Sequence, residues 1–300
     1  MNKYVIFIGG PTASGKTSMA IELAKIYQCD IISADSRQFY KEISIGTAKP
    51  TIEDRAGVKH HFIDSLSIGD PYSAGQFERD ALHLIKEKHR KQDYVIVVGG
   101  TGLYHRAIYQ GLDAYPKVEK NILAYYDQIL SSKGISILQE ELRLKDPTYA
   151  SKVDMDNPQR LIRALSVIKV SNKTFSSFQT SSITKRKFQS IMLSINLDRV
   201  LLYQRINKRV DSMIQEGLIQ EAKSVYHLRY LNSLNTVGYS ELFKYFDGIW
   251  TKNEAIEKIK QHTRNYAKRQ ITWFKNQDDW TQVQDLESAG TIINKHVSQN

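Results

Sequence analysis

Near its start the chain reads Gly10-Pro11-Thr12-Ala13-Ser14-Gly15-Lys16-Thr17, which matches the phosphate-loop pattern G-x-x-x-x-G-K-[S/T] at every fixed position. In such a loop the glycines let backbone N–H groups turn toward a phosphate, and the helix that follows adds its positive dipole end. Lys16 supplies a positive charge, and the Thr17 hydroxyl can join a Mg²⁺ shell. The pattern is typical of nucleotide- and ATP-binding proteins and predicts a site for a phosphorylated ligand.

Short apolar runs alternate with helical patterns around this loop. The runs are Tyr4–Ile8, Ile31–Ala34, Tyr94–Val98 and Ile191–Leu197. Continuous apolar strands between helices are typical of a parallel sheet that is covered on both faces. We therefore predict an α/β fold whose core is a P-loop NTPase-like parallel sheet.

A different pattern interrupts this core. Between residues 118 and 185 apolar residues recur at helical spacing, and no run resembles a strand. Asn157-Pro158 is typical of a helix start, with a capping residue followed by proline in the first turn. We predict a helical insertion domain over residues 118–185, and a core formed by residues 1–117 and 186–300 whose C-terminal part is helical and basic.

Composition excludes several classes of protein. In 300 residues, 41% hydrophobic and 25% charged content excludes collagen-like, low-complexity and wholly disordered chains. The single cysteine, Cys29, excludes a disulfide framework and a cysteine-clustered zinc site. No apolar run is long enough to span a membrane and no signal peptide is evident, so we expect a cytoplasmic protein. The 42 Lys and Arg against 32 Asp and Glu give a net charge of +10, which favours a polyanionic partner such as nucleic acid.

The acidic residue expected of a hydrolysing phosphate-loop protein is missing. Such proteins usually end a second apolar strand with an Asp that holds magnesium, whereas Tyr94–Val98 leads into Gly99-Gly100-Thr101-Gly102. Asp35 instead follows Ile31–Ala34. Ligands bind at the carboxyl ends of strands in open α/β sheets, so Asp35 and Thr101 are expected to face the phosphate-loop crevice, although a helix cap and a turn residue are the alternatives. This pattern favours an enzyme in which pyrophosphate is a leaving group over an ATPase.

With these residues placed, the chain resembles the tRNA dimethylallyltransferases, also called tRNA isopentenyltransferases. The matching stretches occur in order along the sequence: Gly10–Thr17, Asp35–Gln38, Ile45–Pro50, Tyr72–Gly75, Gly99–Tyr104, Asn157–Arg163, Val237–Tyr239 and Lys268–Trp273. The resemblance implies transfer of a dimethylallyl group from dimethylallyl diphosphate to N6 of the adenosine just 3′ of a tRNA anticodon. Two departures are Ser44, where the family often has Asp, and Leu123, where relatives can carry a basic residue.

The resemblance also implies roles for the site residues. The diphosphate would lie on Gly10–Thr17, with Mg²⁺ bridging its oxygens and Thr17, and with Asp35 reached through water. Lys16, Arg205 and Arg209 would stabilise the leaving pyrophosphate. The two arginines are i,i+4 on one helix, for which a solvated helix edge is the alternative. Asp35 would take the N6 proton, and Thr101 would position the amino group or the diphosphate.

The expected partners are dimethylallyl diphosphate and tRNA, bound through its anticodon stem-loop, with Mg²⁺ as cofactor. We expect a monomer that needs no membrane. The residues implied in tRNA binding are Asp35, Ser36, Arg37, Gln38, Thr101, Gln159, Arg160, Leu161, Ile162, Arg163, Gly238, Tyr239, Lys268 and Arg269. For the exposed arginines the alternative is a solvated helix face. For Trp273 and Phe274 the alternative is a place in the core. His60-His61 could suggest a metal site, but no third ligand has suitable spacing, so we expect core or hydrogen-bonded histidines.

Two other functions fit part of the sequence. An adenylate prenyltransferase or a small-molecule kinase on the same core would explain the phosphate loop and Asp35 but not the insertion or the basic C-terminal third. A non-catalytic RNA-binding module that uses nucleotide as a switch would explain the charge but not the missing strand-end acid. Activity on free AMP without tRNA would indicate the first of these functions, and measurable ATP hydrolysis would favour the second.

Overall fold

The computed structural model describes residues 2–180, 183–277 and 279–299. The strands are β1 (Tyr4–Gly9), β2 (Ile31–Ser33), β3 (His60–His61), β4 (Tyr94–Val98), β5 (Gln189–Ile195) and β6 (Thr281–Val283). The α-helices are α1 (Lys16–Ile26), α2 (Ala74–Lys88), α3 (Gly102–Tyr109), α4 (Lys120–Lys133), α5 (Ile135–Lys145), α6 (Pro147–Ala150), α7 (Pro158–Ser171), α8 (Arg199–Gln215), α9 (Leu218–Ser224), α10 (Tyr239–Phe246), α11 (Lys252–Lys275) and α12 (Leu286–Ser298). Short 3₁₀ turns lie at Ser176–Phe178, Tyr226–Leu228 and Asn232–Leu234.

The strands form one parallel sheet in the order β3-β2-β4-β1-β5-β6. The central strand β1 pairs with β4 on one side and β5 on the other, with Ile6 opposite Ile96 and Ile191. The predicted α/β fold with a parallel sheet is confirmed, and the four apolar runs all form strands. The sequence reading missed β3 and β6, because these short edge strands carry too few apolar residues to give a signal.

Successive side chains of β1 point to opposite faces of the sheet, as the pleat of a strand requires. Ile6 and Ile8 pack in one cluster that also includes residues of α1 and α12. Val5 and Phe7 pack in the other, with residues of α2, α3 and α11. Both faces are therefore covered, which is why the strand sequence is apolar without alternation.

The chain divides into two compact units. One comprises residues 1–110 and 185–300 and contains the sheet, and the other comprises residues 111–184. The second unit is built from α4 to α7 around its own apolar core, which includes Tyr126 and Leu165. It begins at Gly111, upstream of the predicted residue 118, because Tyr115 stacks on Phe175 of the same unit with ring centroids 4.7 Å apart.

The start of α7 follows the sequence prediction. The Asn157 side chain accepts a hydrogen bond from the N–H of Arg160 at 3.3 Å, and Pro158 occupies the first turn. Leu161 and Ile162, which the resemblance placed among the tRNA-binding residues, are buried in the core of this unit. Their side chains therefore hold the helix in place and are not available to a ligand. Within the described ranges, no helix has the length and apolar character needed to cross a membrane.

Candidate active site

The phosphate loop lines a cavity of about 270 Å³ at the carboxyl edge of the sheet. We call it the phosphate cavity; the loop residues that line it are Thr12, Ala13, Ser14, Gly15, Lys16 and Thr17. Gly15 has a φ of 95°, which side chains disfavour, and α1 begins directly after it. The Ser14 hydroxyl is buried and, among the described residues, has no hydrogen-bond partner. The start of α1 thus lies against the cavity, where backbone N–H groups and an unpartnered hydroxyl can receive phosphate oxygens.

Two positively charged side chains, those of Lys16 and Arg209, line this cavity. Lys16 Nζ donates to the Pro11 carbonyl at 2.6 Å, and the Arg209 guanidinium, from α8, donates to Thr12 Oγ1 at 3.5 Å. Burial, together with the charge of Arg209, lowers the pKa of Lys16 to about 7, although Asp35 opposes this change. Burial also lowers the pKa of Arg209. Like charges held out of water are costly until an anion joins them, so the cavity is suited to a polyanionic ligand.

Arg205 does not share this environment. Its side chain is exposed on α8, and Arg205 does not line the phosphate cavity, although it is one helical turn from Arg209. The i,i+4 spacing therefore does not bring both guanidinium groups to the cavity, because α8 turns only one of them inward.

Asp35 faces the phosphate cavity, as its place after β2 predicts. Its Oδ1 accepts the N–H of Arg37 at 2.9 Å, and no donor in the described ranges occupies Oδ2. Thr101 lies differently: its hydroxyl accepts the N–H of Ser36 at 3.3 Å, and it does not line the cavity. Asp35 can therefore reach a ligand directly, whereas Thr101 supports the loop that carries Asp35.

A second cavity, of about 300 Å³, adjoins the first. We call it the acceptor cavity; of the residues implied in tRNA binding, Asp35, Ser36, Arg37, Gly238 and Arg269 line it. The two cavities have six lining residues in common, and we call this set the junction: Thr12, Asp35, Thr47, Ala48, Arg209 and Tyr266. A ligand on the phosphate loop and a ligand in the acceptor cavity would meet at the junction.

Helix α11 connects the phosphate loop to the loop after β4. Gln270 is buried; its Oε1 accepts the N–H of Thr12 and its Nε2 donates to the carbonyl of Gly100, both at 2.9 Å. The close approach explains Gly100, since a Cβ there would lie 2.0 Å from the Gln270 amide nitrogen. The sequence analysis did not predict this role of Gln270, although the residue lies in Lys268–Trp273, one of the stretches that carry the family resemblance.

Several residues implied in tRNA binding make contacts within the protein. The Arg37 guanidinium donates to the carbonyls of Asn232 and Ser233 at 3.1 Å each and to that of Asn235 at 3.3 Å. The Gln38 Oε1 accepts the hydroxyl of Ser33 at 3.0 Å. Arg37 therefore holds a segment next to the acceptor cavity that it also lines.

Tyr239 is fully buried, so its side chain cannot contact RNA. Its hydroxyl donates to Glu221 at 2.6 Å, and the same carboxylate accepts the N–H groups of Ser44 and Gly46. Glu221 thus fixes the loop that carries the junction residue Thr47. The sequence reading missed Glu221, because an acid on a helix gives no local sign of a partner so far along the chain.

The remaining polar and basic residues implied in tRNA binding are at the surface. Gln159, Arg160 and Arg163 are exposed on α7, and the Arg163 guanidinium lies 5.6 Å from the centre of the Tyr115 ring. Lys268 and Arg269 are exposed on α11, whereas Phe274 of the same helix is buried in the core.

The pair His60-His61 is hydrogen-bonded, as expected. The His61 Nε2 lies 2.7 Å from Asp30 Oδ2, and the His60 Nδ1 lies 2.9 Å from the Val58 carbonyl. His60 also lines the phosphate cavity.

Fold and site together define a phosphate-loop α/β enzyme in which a cavity for a phosphorylated substrate opens into a cavity for a second substrate. A family model described as IPP transferase matches residues 38–277. A tRNA dimethylallyltransferase of Christiangramia forsetii is 49% identical over 275 residues, which cover 92% of this chain and 91% of that protein. The chain belongs to the IPP transferase family and is a prenyl-transferring enzyme.

Solved structures support the same assignment. A tRNA isopentenylpyrophosphate transferase from Bacillus halodurans superposes with a TM-score of 0.72 at 35% identity, covering 100% of this chain and 96% of its own. A eukaryotic dimethylallyltransferase described as acting on tRNA superposes with a TM-score of 0.77 at 27% identity, covering 98% of this chain and 77% of its own.

Proposed function

We propose that this enzyme transfers the dimethylallyl group of dimethylallyl diphosphate to N6 of the adenosine immediately 3′ of the anticodon in tRNA, and releases diphosphate. The observation that carries the proposal is the junction, where a phosphate-binding cavity opens into a second cavity beside a carboxylate. The relatives supply the identity of the two substrates, since their names give a dimethylallyl donor and a tRNA acceptor.

The diphosphate would lie on the phosphate loop, and the dimethylallyl carbon would point to the junction. As the allylic C–O bond breaks, its electron pair stays with the diphosphate. Lys16 and Arg209 would stabilise that growing negative charge, because they are already turned toward the cavity. Diphosphate binding would also favour the charged form of Lys16.

Magnesium is the cofactor that we propose for the phosphate cavity. The hydroxyl of Thr17 and the carboxylate of Asp35 both line it, and Mg²⁺ prefers such oxygen donors. In the described part of the chain, no group of three or more His, Cys, Asp or Glu side chains is placed to hold a metal ion. Thr17, with Asp35 through water, would therefore bind the ion together with diphosphate oxygens and further water. When bound, Mg²⁺ would neutralise charge on the diphosphate.

The acceptor base would enter the second cavity after leaving its stack in the anticodon loop, as enzymes that modify bases require. The N6 nitrogen forms the new C–N bond and loses a proton, which the unoccupied Oδ2 of Asp35 can accept. The exposed Arg160, Arg163 and Lys268 are available to RNA phosphates. Both cavities are lined by one chain, so we expect a single copy to suffice.

The test is incubation of the enzyme with labelled dimethylallyl diphosphate, Mg²⁺ and unmodified tRNA, followed by nucleoside analysis. We expect label in N6-dimethylallyladenosine. A matched tRNA with guanosine at the target position should stay unlabelled. Labelling of free AMP with no labelling of tRNA would contradict the proposal, as would ATP hydrolysis with no transfer.

A further inference from the structure

Tyr266 is a junction residue to which the mechanism above gives no part. It lies on α11 and lines both the phosphate cavity and the acceptor cavity, in each case together with Asp35. The residue keeps 36% of its surface accessible. Its phenol is nevertheless desolvated: burial raises the pKa of Tyr266 to about 12, and the Asp35 carboxylate adds to that increase. The hydroxyl therefore stays protonated at neutral pH and remains a donor.

Thr101 connects Tyr266 to the loop that carries Asp35. The N–H of Ser36 donates to the Thr101 hydroxyl at 3.3 Å, and Thr101 interacts with the Tyr266 hydroxyl and opposes the increase in its pKa. In the described part of the chain, the Tyr266 hydroxyl donates a hydrogen bond to no protein acceptor. Its proton is therefore available to a ligand in the two cavities that the residue lines.

Asp35 and Tyr266 thus present complementary groups to one space. The carboxylate accepts hydrogen bonds and the phenol donates one. The Watson–Crick edge of adenine carries a donor at N6 and an acceptor at N1, and guanine reverses both. Enzymes that extrude a base read this edge by hydrogen bonds.

We propose that Tyr266 determines the choice of base by donating a hydrogen bond to N1 of the target adenine, while Asp35 accepts from N6. This inference rests on the proposed function. With guanine in the cavity, the phenol would meet an N–H and the carboxylate would meet a carbonyl oxygen, so both hydrogen bonds would fail together. Thr101 is then a positioning residue, which holds the N–H of Ser36 next to Asp35 and does not contact the base.

The test is a double-mutant cycle between protein and RNA. The protein change is Tyr266→Phe, which removes the hydroxyl and keeps the ring. The RNA change replaces the target adenosine of an anticodon stem-loop by 1-deazaadenosine, which removes the N1 acceptor and keeps N6. We measure kcat/KM for the four combinations with dimethylallyl diphosphate.

Tyr266→Phe should lower kcat/KM on the adenosine RNA by roughly tenfold, the size of one hydrogen bond. On 1-deazaadenosine RNA the same substitution should change kcat/KM less than twofold, because the hydrogen bond is already absent. Tyr94→Phe is the matched control. Tyr94 is the first residue of β4, at the end of the strand opposite to the cavities, so this variant should behave as wild type on both RNAs.

Equal effects of Tyr266→Phe on the two RNAs would overturn the inference. So would full wild-type kcat/KM on 1-deazaadenosine RNA, a measurement that does not depend on whether the variant folds. Failure of the wild type to transfer label to the adenosine RNA would instead contradict the proposed function itself.

Discussion

The carboxylate of Asp35 uses one oxygen to hold its own loop and leaves the other for a ligand. The substitution Asp35→Asn keeps the acceptor for the Arg37 N–H but removes the base. We expect kcat to fall by ~10²–10⁴-fold, the usual contribution of a general base, with little change in RNA affinity.

The measurement is single-turnover transfer together with a binding titration of the stem-loop. Asp93→Asn, beside Lys3 and remote from the cavities, is the matched control and should keep full activity. A variant that retains near wild-type kcat would remove Asp35 from the mechanism.

Lys16 gives the site a pH dependence. Because its pKa is lowered to about 7, the ammonium is present below that pH and is lost as the pH rises. An anion binds the charged form more tightly, so affinity for inorganic pyrophosphate should fall as the pH rises above about 7. Calorimetric titration between pH 6 and 9 would measure this in wild type and Lys16→Met.

The ratio of the two dissociation constants isolates the lysine, because pyrophosphate itself titrates equally in both experiments. That ratio should shrink toward high pH. Parallel curves for the two proteins would mean that Lys16 does not change its charge in this range.

At the scale of elements, α11 sets the spacing between two loops through one amide side chain. Gln270→Glu keeps the acceptor for Thr12 but loses the donor to Gly100, which leaves a buried carbonyl unpaired. Such a group costs about 1–3 kcal/mol. We expect pyrophosphate affinity to fall by roughly ten- to hundredfold, since a carboxylate also repels the anion.

Gln261→Glu, on the same helix but exposed, adds the same charge away from both loops. It should leave pyrophosphate affinity within twofold of wild type. If the two variants bind pyrophosphate alike, the bridge does not hold the phosphate loop in its binding shape.

The sequence predicts the parts of the fold and site whose cause is local. The phosphate loop, the four apolar strands and the start of α7 each depend on neighbouring residues, and the structure has them where the patterns indicate. The edge strands β3 and β6 depend on pairing with distant strands. Gln270, Glu221 and Tyr266 likewise act on loops far away in sequence, so no local pattern identifies them.

At the scale of the whole molecule, substitution of the two exposed arginines of α7 tests whether this helix binds RNA phosphates. The double change Arg160→Ala with Arg163→Ala should weaken binding of an anticodon stem-loop at low salt. It should also flatten the dependence of log K on log salt by ~0.7–0.9 for each phosphate that the protein no longer neutralises. Pyrophosphate binding should not change, because that ligand sits on the phosphate loop.

The control removes the same charge elsewhere in the unit of residues 111–184, by Lys133→Ala with Lys152→Ala, and should keep the wild-type slope. An unchanged affinity and slope in the arginine variant would show that α7 does not bind RNA phosphates. A fall in affinity at constant slope would assign the arginines to bases.

The two units have separate apolar cores, so damage to one need not reach the other. Leu165→Ala removes a fully buried side chain from the unit of residues 111–184 and should cost that unit about 2–5 kcal/mol of unfolding free energy. Calorimetry should show a lower melting temperature for this unit, while pyrophosphate binding at room temperature stays unchanged. A parallel loss of pyrophosphate affinity would mean that the units unfold together.

The order of strands in the sheet has a consequence for how the protein is made. The central strand β1 lies between β4 and β5, yet β5 follows residues 111–184 in the chain. A ribosome adds ~5–20 residues per second, so one edge of β1 keeps its backbone N–H and C=O groups unpaired for several seconds before the partner strand β5 appears. Newly synthesised chains should therefore depend on chaperones, or on early folding of the inserted unit, during this interval.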